Sequence, residues 1–218
     1  MKRLRLPRLV LVGMTAIATA VLSSAPAMAD ASNWKLGYYT PSGRTLSFAE
    51  SGNAGIASFD FTDQNNTALL VTKHGAGKGS TLGDLTGRTI TATFDISGLT
   101  GAFTYFGEPD GSGAPSTTRF YFQTDNAGGF AYTNFWWSNP ESQALVANGQ
   151  FTLTATVEPA EWSDWNGQNG ASQPTGFADA ASNVTMMGLS FGGGFFFENG
   201  VGTTDGSGTF TLDSFSVS

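Results

Sequence analysis

The sequence contains no cysteine and one histidine, His74, among its 218 residues. Without cysteine the chain holds no disulfide and carries no lipid attached to a cysteine side chain. One histidine cannot build a zinc site made mainly of histidines, and it would have to serve as the base of any Ser-His-Asp triad. His74 lies in a stretch rich in Lys and Gly, with no nucleophile-elbow sequence nearby. Histidine-based catalysis is therefore disfavoured.

Basic residues are scarce, and four of the ten lie at the extreme N-terminus. They precede a short apolar stretch, Leu9–Leu22, and a small-residue cleavage pattern at Ala27-Met28-Ala29. This arrangement is typical of a secretory signal peptide over residues 1–29, cleaved before Asp30. No later apolar run is long enough to span a membrane, so we expect a secreted, extracellular protein with no membrane contact in its mature form.

The predicted mature chain, residues 30–218, is strongly acidic. It holds six Lys and Arg against 17 Asp and Glu, a formal charge of −11. Such a surface disfavours nucleic acid and anionic membranes as partners. The length fits a single domain, and 18 Phe, five Trp and five Tyr are available to fill its core.

Strict alternation of apolar and polar residues predicts β-strands through most of the chain. In RTITATFDIS, residues 88–97, Ile90 and Phe94 share one face while Thr91 and Asp95 share the other. QFTLTATVEP (150–159) alternates in the same way, the C-terminal GTFTLDSFSVS is read as a further strand, and Gly-rich turns separate the runs. Many short strands predict an all-β fold, a two-sheet antiparallel β-sandwich of the jelly-roll type. One short helix is expected at TGFADAAS, after Pro174.

Residues 119–139, RFYFQTDNAGGFAYTNFWWSN, read as a hairpin with two adjacent tryptophans. If Phe120 and Phe122 pair with Phe135 and Trp137, these four residues form the buried face. The opposite face then presents six side chains as candidate ligand contacts: Arg119, Tyr121, Gln123, Tyr132, Asn134 and Trp136.

That second face has the chemistry of a carbohydrate site. Aromatic rings stack on the C–H face of a sugar, while amide and guanidinium groups bond its hydroxyls. Two alternatives remain open at this stage. Either a loop covers the aromatic residues, or the alternation is displaced by one residue. A displacement of one residue would exchange the inner and outer faces of the strand.

Two further aromatic segments stay open in the same way. EWSDW places Trp162 and Trp165 beside a segment rich in Gly, Asn and Gln, where they form either a second stacking platform or a plug at the end of the core. SFGGGFFFENG holds Phe195–Phe197, which cannot all point inward on a regular strand, and packing over the sheet is the favoured interpretation.

Three segments resemble the galactose-binding-like carbohydrate-binding modules. ALLVTKHGAGKGSTLGDLTGRTITATFDISG (68–98) is similar to their second-strand to third-strand region. GSGTFTLDSFSVS at the C-terminus is similar to their last strand, and LSFAESGNAG (46–55) to their opening segment. The resemblance implies a jelly-roll sandwich whose first and last strands lie side by side, and it points to no particular family.

The same resemblance implies a structural Ca²⁺ near the junction of those strands. Carried over to this chain, the metal ligands are Glu50 of AESG and Asp213 of LDSF. Carboxylate oxygens suit calcium. The alternative is that Asp213 lies at a bulge and Glu50 is a solvated turn residue.

The sequence favours a non-catalytic protein that binds an oligo- or polysaccharide, with two alternatives. A jelly-roll glycosidase would need two carboxylates facing one groove, and the close acidic groups are Glu108 with Asp110, and Glu158, Glu161 and Asp164. All of them lie in or beside turns. A non-catalytic surface or matrix protein would instead have no cleft and bind no saccharide.

Overall fold

The computed structural model describes residues 27–28, 33–40, 43–64, 66–73, 82–125 and 129–218. Within these ranges the chain forms fifteen strands and one α-helix, α1 (Pro174–Ala181). The strands are β1 (Ala27–Met28), β2 (Trp34–Thr40), β3 (Gly43–Glu50), β4 (Ala57–Thr62), β5 (Asn66–Thr72), β6 (Thr89–Ser97), β7 (Ala102–Tyr105), β8 (Thr117–Gln123), β9 (Phe135–Ser138), β10 (Gln143–Ala144), β11 (Gly149–Thr156), β12 (Trp162–Asp164), β13 (Met186–Gly192), β14 (Val201–Thr204) and β15 (Ser207–Val217). His74 and most of the predicted signal peptide lie outside the described residues.

The strands form two antiparallel sheets. In the five-stranded sheet, β15 pairs with β6, and β6 pairs with β11. The other edge of β15 pairs with β4 and, near the C-terminus, with the two residues of β1. In the ten-stranded sheet the path runs β3-β2-β5-β13-β8-β9-β12, with β14 and β7 continuing from the start of β5 and β10 beside β8. The predicted fold class, an all-β antiparallel sandwich, is confirmed.

The core lies between the sheets and is built largely from phenylalanine. In β6 the apolar residues of the alternating pattern are buried and the intervening polar residues are half-buried or exposed. The Phe210 ring of β15 stacks on Phe94 and Phe59, with centroids 4.9 and 5.0 Å apart. Phe191 of the facing sheet meets Phe210 edge-on at 5.4 Å. These aromatic contacts hold the two layers together without a disulfide.

Helix α1 closes one end of this core. It begins at Pro174, which is favourable in the first turn of a helix because proline has no N–H to satisfy there. Phe177, Ala180 and Ala181 are buried on its inner face. The short helix expected at TGFADAAS is confirmed.

Candidate functional site

The β8–β9 register places Trp136 inside the sandwich. Tyr121 pairs with Trp137, Phe122 with Trp136, and Gln123 with Phe135. Trp136 therefore shares the inner face with Phe122, and its side chain is fully buried. The prediction that Trp136 faces a ligand is wrong, and the neighbouring Trp137 lies on the outer face instead.

The error has a local physical cause. The segment Tyr132–Asn134 is a 3-10 turn, so the strand starts only at Phe135. Side chains in a 3-10 turn do not alternate between two faces as they do on a strand. Assigning faces by counting alternate residues through Tyr132–Asn134 therefore places the residues of β9 on the wrong faces. The Trp136 indole N–H donates to the Thr133 carbonyl oxygen at 2.7 Å, and its ring meets Phe177 of α1 edge-on at 5.0 Å.

Three predicted ligand residues of β8 lie on the outer face, as expected, but they are largely engaged. Tyr121 is only 2% exposed, and its hydroxyl donates to Gln123 Oε1 at 2.6 Å. Gln123 in turn donates from Nε2 to Asp125 Oδ1. Arg119 donates to the Ser138 carbonyl oxygen at 3.1 Å, and burial lowers the pKa of its guanidinium to about 10.

The remaining two predicted contacts lie in the 3-10 turn. Asn134 is buried, and its Nδ2 donates to the Gly129 carbonyl oxygen at 3.1 Å. Tyr132 is 52% exposed and meets the Phe130 ring edge-on at 5.5 Å. The six predicted residues therefore do not gather in one groove.

An open cleft of about 410 Å³ lies on the outer side of the ten-stranded sheet, next to Trp137. Its aromatic lining residues are Tyr39, Trp137, Trp165, Phe195, Phe196 and Phe197. Its polar lining includes Asp164, Glu198 and Asn199. We call this feature the aromatic cleft. Trp165, Phe195 and Phe196 are 48%, 73% and 68% exposed, so large ring surfaces face solvent there.

Strand β12 sets one wall of the aromatic cleft. It pairs with β9, opposing Ser163 to Trp137, and Trp165 follows immediately after its last residue. The two indole rings lie 5.7 Å apart and are tilted by 58°. Asp164 Oδ1 accepts hydrogen bonds from the backbone N–H groups of Asn166 and Gln168, which fixes the turn that carries Trp165.

The connection from β13 to β14, residues 193–200, forms the other wall. Asn199 closes it, since its Oδ1 accepts from the Gly193 N–H and its Nδ2 donates to the Phe106 and Gly193 carbonyl oxygens. Gly193 has to be glycine here, because a Cβ would lie 2.1 Å from the Tyr105 ring. The sequence GGG therefore lets this wall fold tightly against its neighbours.

One hydroxyl joins the two walls. The Trp137 indole N–H donates to Ser190 Oγ at 3.1 Å, and Ser190 Oγ donates to the Phe197 carbonyl oxygen at 2.6 Å. Phe197 also covers the Arg119 guanidinium, whose carbon lies 4.3 Å from the ring centroid. Trp137 is held by its N–H and is only 3% exposed, so it forms a fixed inner surface of the cleft against which Trp165 packs.

Glu198 is the unusual polar group of the aromatic cleft. Desolvation among the surrounding rings raises the pKa of its carboxyl to about 8. Its proximity also helps to raise the pKa of Tyr121, for which burial is the larger cause. Within the part of the chain that the structure describes, no donor bonds the Glu198 carboxylate and no basic residue pairs with it.

The aromatic surface continues beyond the cleft along the same rim. Phe130 lies 5.9 Å from Trp165 and 5.5 Å from Phe135, measured between ring centroids. A second hollow of about 440 Å³ lies beside Phe130 and Tyr132, and Asp164 borders both hollows. Tyr132 therefore belongs to this neighbouring hollow rather than to the Tyr121 face.

The two predicted calcium ligands lie in different sheets. Glu50 ends β3 and pairs with Lys35, while Asp213 lies at the bulge of β15 and accepts a hydrogen bond from Gln150 Nε2 at 3.4 Å. Among the described residues there is no cluster of three or more acidic, histidine or cysteine side chains that could hold a metal. A calcium site at this pair stays a prediction.

The acidic groups considered for hydrolysis are mostly structural. Glu108 accepts from Thr104 Oγ1, and Asp110 accepts from the Tyr105 hydroxyl and from Ser112. A hydrogen bond with Glu141 raises the pKa of Glu161. Of the acids named from the sequence, Asp164 is the one that lines the aromatic cleft.

Sequence reasoning missed most of the cleft. EWSDW supplies one core residue, Trp162, in agreement with the plug interpretation, and one exposed residue, Trp165, for which stacking on a ligand stays a prediction. FGGGFFFENG supplies one packed ring, Phe197, and two exposed rings. The signal for the second segment was present, because three consecutive phenylalanines cannot all be buried on a strand. Nothing local marked Glu198.

No family model matches the chain, and no curated protein matches it. Among solved structures, the chain is similar to a xylan-binding module, CBM15. The identity is 13%, the alignment covers 87% of this chain and 93% of that chain, and the TM-score is 0.45. None of the helices that the structure describes is long and apolar enough to cross a membrane.

Proposed function

We propose that the protein is a secreted, non-catalytic carbohydrate-binding protein and that the saccharide occupies the aromatic cleft. The observation that supports this most is the set of exposed rings around one open hollow. Trp165, Phe195 and Phe196 present large apolar surfaces to solvent, and the buried Trp137 packs against Trp165 on the inner side of the cleft. Apolar rings beside polar groups suit the C–H face and the hydroxyl rim of a sugar.

The ligand residues of this proposal differ from the predicted set. Trp165, with Phe195 and Phe196 beside it, takes the stacking role first given to Trp136, Tyr121 and Tyr132. Glu198 is the partly exposed polar side chain of the cleft, while Asn199 and Asp164 are buried and hold its two walls. Arg119 and Gln123 support the floor of the cleft through Phe197 and Tyr121.

The test is a binding measurement on the chain from Asp30 onward, using a glycan array followed by calorimetry with the best oligosaccharide. We expect Trp165→Ala to abolish most of the affinity, because it removes the more exposed indole. Tyr38→Ala, on β2 and not among the cleft-lining residues, is the matched control and should bind normally. Binding to no glycan, or equal binding by Trp165→Ala, would contradict the proposal.

A second candidate is a two-carboxylate glycosidase, since Glu198 and Asp164 line the same cleft. A carboxyl with a raised pKa is the form required of a general acid. Asp164 Oδ1, however, already accepts two backbone hydrogen bonds that hold its turn. Release of reducing ends from a bound polysaccharide, lost in Glu198→Gln, would establish this candidate. The third possibility, a matrix protein, requires that no saccharide binds at all.

Export is part of the proposal and has its own test. The basic start and the apolar stretch before Ala27-Met28-Ala29 support it. We expect mass spectrometry of the culture medium to find a chain that begins at Asp30. A full-length chain retained in the cell would contradict it.

A further inference from the structure

The second hollow, of about 440 Å³, has the same kind of lining as the aromatic cleft. Phe130 is 65% exposed and Tyr132 is 52% exposed, and their two rings meet edge-on within this lining. The amide side chains that line the hollow are Asn166, Gln168 and Gln173. Exposed rings beside amide groups again suit the C–H faces and the hydroxyls of sugars.

One short turn, residues 164–168, serves both hollows. Asp164 fixes its path, because Asp164 Oδ1 accepts from the N–H groups of Asn166 and Gln168. The Asp164 N–H also donates to the Gln168 carbonyl oxygen at 2.9 Å. Trp165 of this turn lines the aromatic cleft, whereas Asn166 and Gln168 line the second hollow. A ligand that lies across the turn therefore reaches both hollows.

Contacts around the turn keep the rings of the two hollows side by side. The Trp165 N–H donates to the Tyr132 carbonyl oxygen at 3.4 Å, and the Trp165 ring meets Phe130 edge-on at 5.9 Å. Helix α1 braces the 3-10 turn that carries Tyr132, because a Cβ on Gly176 would lie 2.6 Å from Thr133 Cγ2. The spacing of the rings is therefore set before a ligand binds, which lowers the entropic cost of binding.

The charge of the lining narrows the class of ligand. Among the described residues that line the two hollows there is no lysine and no arginine, and the charged ones are Asp164 and Glu198. Uronates and sulfated sugars are anionic, and proteins recognise such groups with cationic donors. The net negative charge of the predicted mature chain adds to the repulsion. The lining therefore fits an uncharged polysaccharide.

We propose that the second hollow is a further subsite for the saccharide, and that the ligand is a linear, uncharged polysaccharide lying across the turn 164–168. One sugar unit stacks on Trp165 in the aromatic cleft and another stacks on Phe130 in the second hollow. Asn166 and Gln168 bond the hydroxyls of the second unit. The inference rests on the proposed function and adds to it that affinity depends on the number of linked units.

The experiment measures affinity by calorimetry at pH 7 for ladders of cello-, xylo-, manno- and laminari-oligosaccharides, from the disaccharide upwards. We expect the affinity for at least one of these neutral ladders to rise roughly tenfold between the disaccharide and the first oligomer that spans both hollows. Beyond that length the affinity should level off. Oligogalacturonates of the same lengths are the charged comparison and should bind roughly tenfold more weakly or not at all.

Two exposed phenylalanines provide matched variants. Phe130→Ala should lower the affinity for the long oligomer roughly tenfold more than the affinity for the disaccharide, so the gain with length is lost. Phe48 is 51% exposed on β3 and lines neither hollow. Phe48→Ala should therefore bind every length as the wild type does.

Two further variants separate the subsites. Asn166→Ala, at an exposed position of the turn, should show a smaller loss of the same kind as Phe130→Ala. Phe195→Ala, in the aromatic cleft, should instead lower the affinity for the disaccharide and for the long oligomer alike. Thermal unfolding of each variant shows that it is folded.

The outcomes separate this inference from the proposed function. Binding of a disaccharide with no gain at greater length, or an undiminished gain in Phe130→Ala, overturns the second subsite and leaves binding in the aromatic cleft intact. Preference for oligogalacturonates over all neutral ladders overturns the uncharged class. A dimer that is lost in Phe130→Ala by analytical ultracentrifugation, with unchanged oligosaccharide affinity, assigns the second hollow to another copy of the chain and overturns the inference. Binding of no oligosaccharide also overturns it, and the glycan array then decides the proposed function.

Discussion

At the scale of single residues, the two adjacent tryptophans of β9 lie on opposite faces of the sheet and both are buried. Trp136 packs against α1 and Trp137 against Trp165, and of these three Trp165 is the one with a large exposed surface, at the aromatic cleft. A buried aromatic side chain contributes through packing, and an exposed one contributes through a ligand.

Alanine substitutions should separate these environments. We expect Trp136→Ala to lower the free energy of unfolding by about 3–5 kcal/mol, because it leaves a large cavity beside Phe177. Trp165→Ala, at a 48% exposed position, should change stability by less than about 1 kcal/mol. Urea denaturation of both variants measures the difference. Similar stability losses in the two would contradict the assigned register.

Glu198 should make stability depend on pH. Its pKa is raised from 4.5 to about 8 in the folded chain, so between these values the unfolded chain releases a proton that the folded chain keeps. This contribution is complete below pH 4.5 and is lost as the pH rises to 8. We expect the free energy of unfolding of Glu198→Gln, relative to that of the wild type, to increase by about 4 kcal/mol between pH 4.5 and pH 8, measured by urea denaturation. A constant difference across this range would contradict the raised pKa.

At the scale of elements, the cleft depends on how the connection 193–200 is attached to the sheet. The attachment passes through Ser190, which accepts from Trp137 and donates to Phe197. Strand β13, through Ser190, therefore positions both the connection and the Trp137 indole.

Removal of this hydroxyl should weaken binding. Ser190→Ala leaves a buried N–H and a buried carbonyl oxygen without partners, at a cost of about 1–3 kcal/mol in the free energy of unfolding. Thr118→Val is a matched control, since it also removes a buried hydroxyl bond, to the Ser190 carbonyl oxygen, but on the core side. We expect similar stability losses but reduced ligand affinity only in Ser190→Ala, by calorimetry. Equal affinities would mean that the attachment is not needed.

The predictability of each element follows from its regularity. Strand β6 has no bulge and pairs with β11 and β15 on its two sides, so unbroken alternation predicted its faces correctly, whereas the bulge at Asp213 shifts the alternation within β15. In the sequence, Pro174 indicated where helix α1 begins. The predicted faces of the β8–β9 hairpin were wrong because the 3-10 segment before β9 interrupts the alternation of side chains. The cleft was not predicted because its second wall is an irregular connection, residues 193–200. Glu198 and Trp137 line the same cleft although they are 61 positions apart in the sequence, and no local sequence pattern indicates such a contact.

At the scale of the whole molecule, aromatic packing holds the two sheets together. The predicted calcium site would add to the stability of this sandwich. The prediction requires Ca²⁺ to raise the melting temperature of the wild type and not that of Asp213→Asn. Asp213 accepts only one long hydrogen bond, so the substitution itself should be mild. Differential scanning calorimetry with Ca²⁺ and with a chelator measures it. An unchanged melting temperature in the wild type would dismiss the site.

The uneven exposure of the five tryptophans gives the molecule a built-in optical reporter. Trp34, Trp136, Trp137 and Trp162 are at most 3% exposed, whereas Trp165 is 48% exposed at the mouth of the cleft. Collisional quenchers such as acrylamide should therefore extinguish mainly the emission of a single indole. An occupied cleft would shield that indole and shift its emission to shorter wavelength, so ligand entry can be followed in the unlabelled protein.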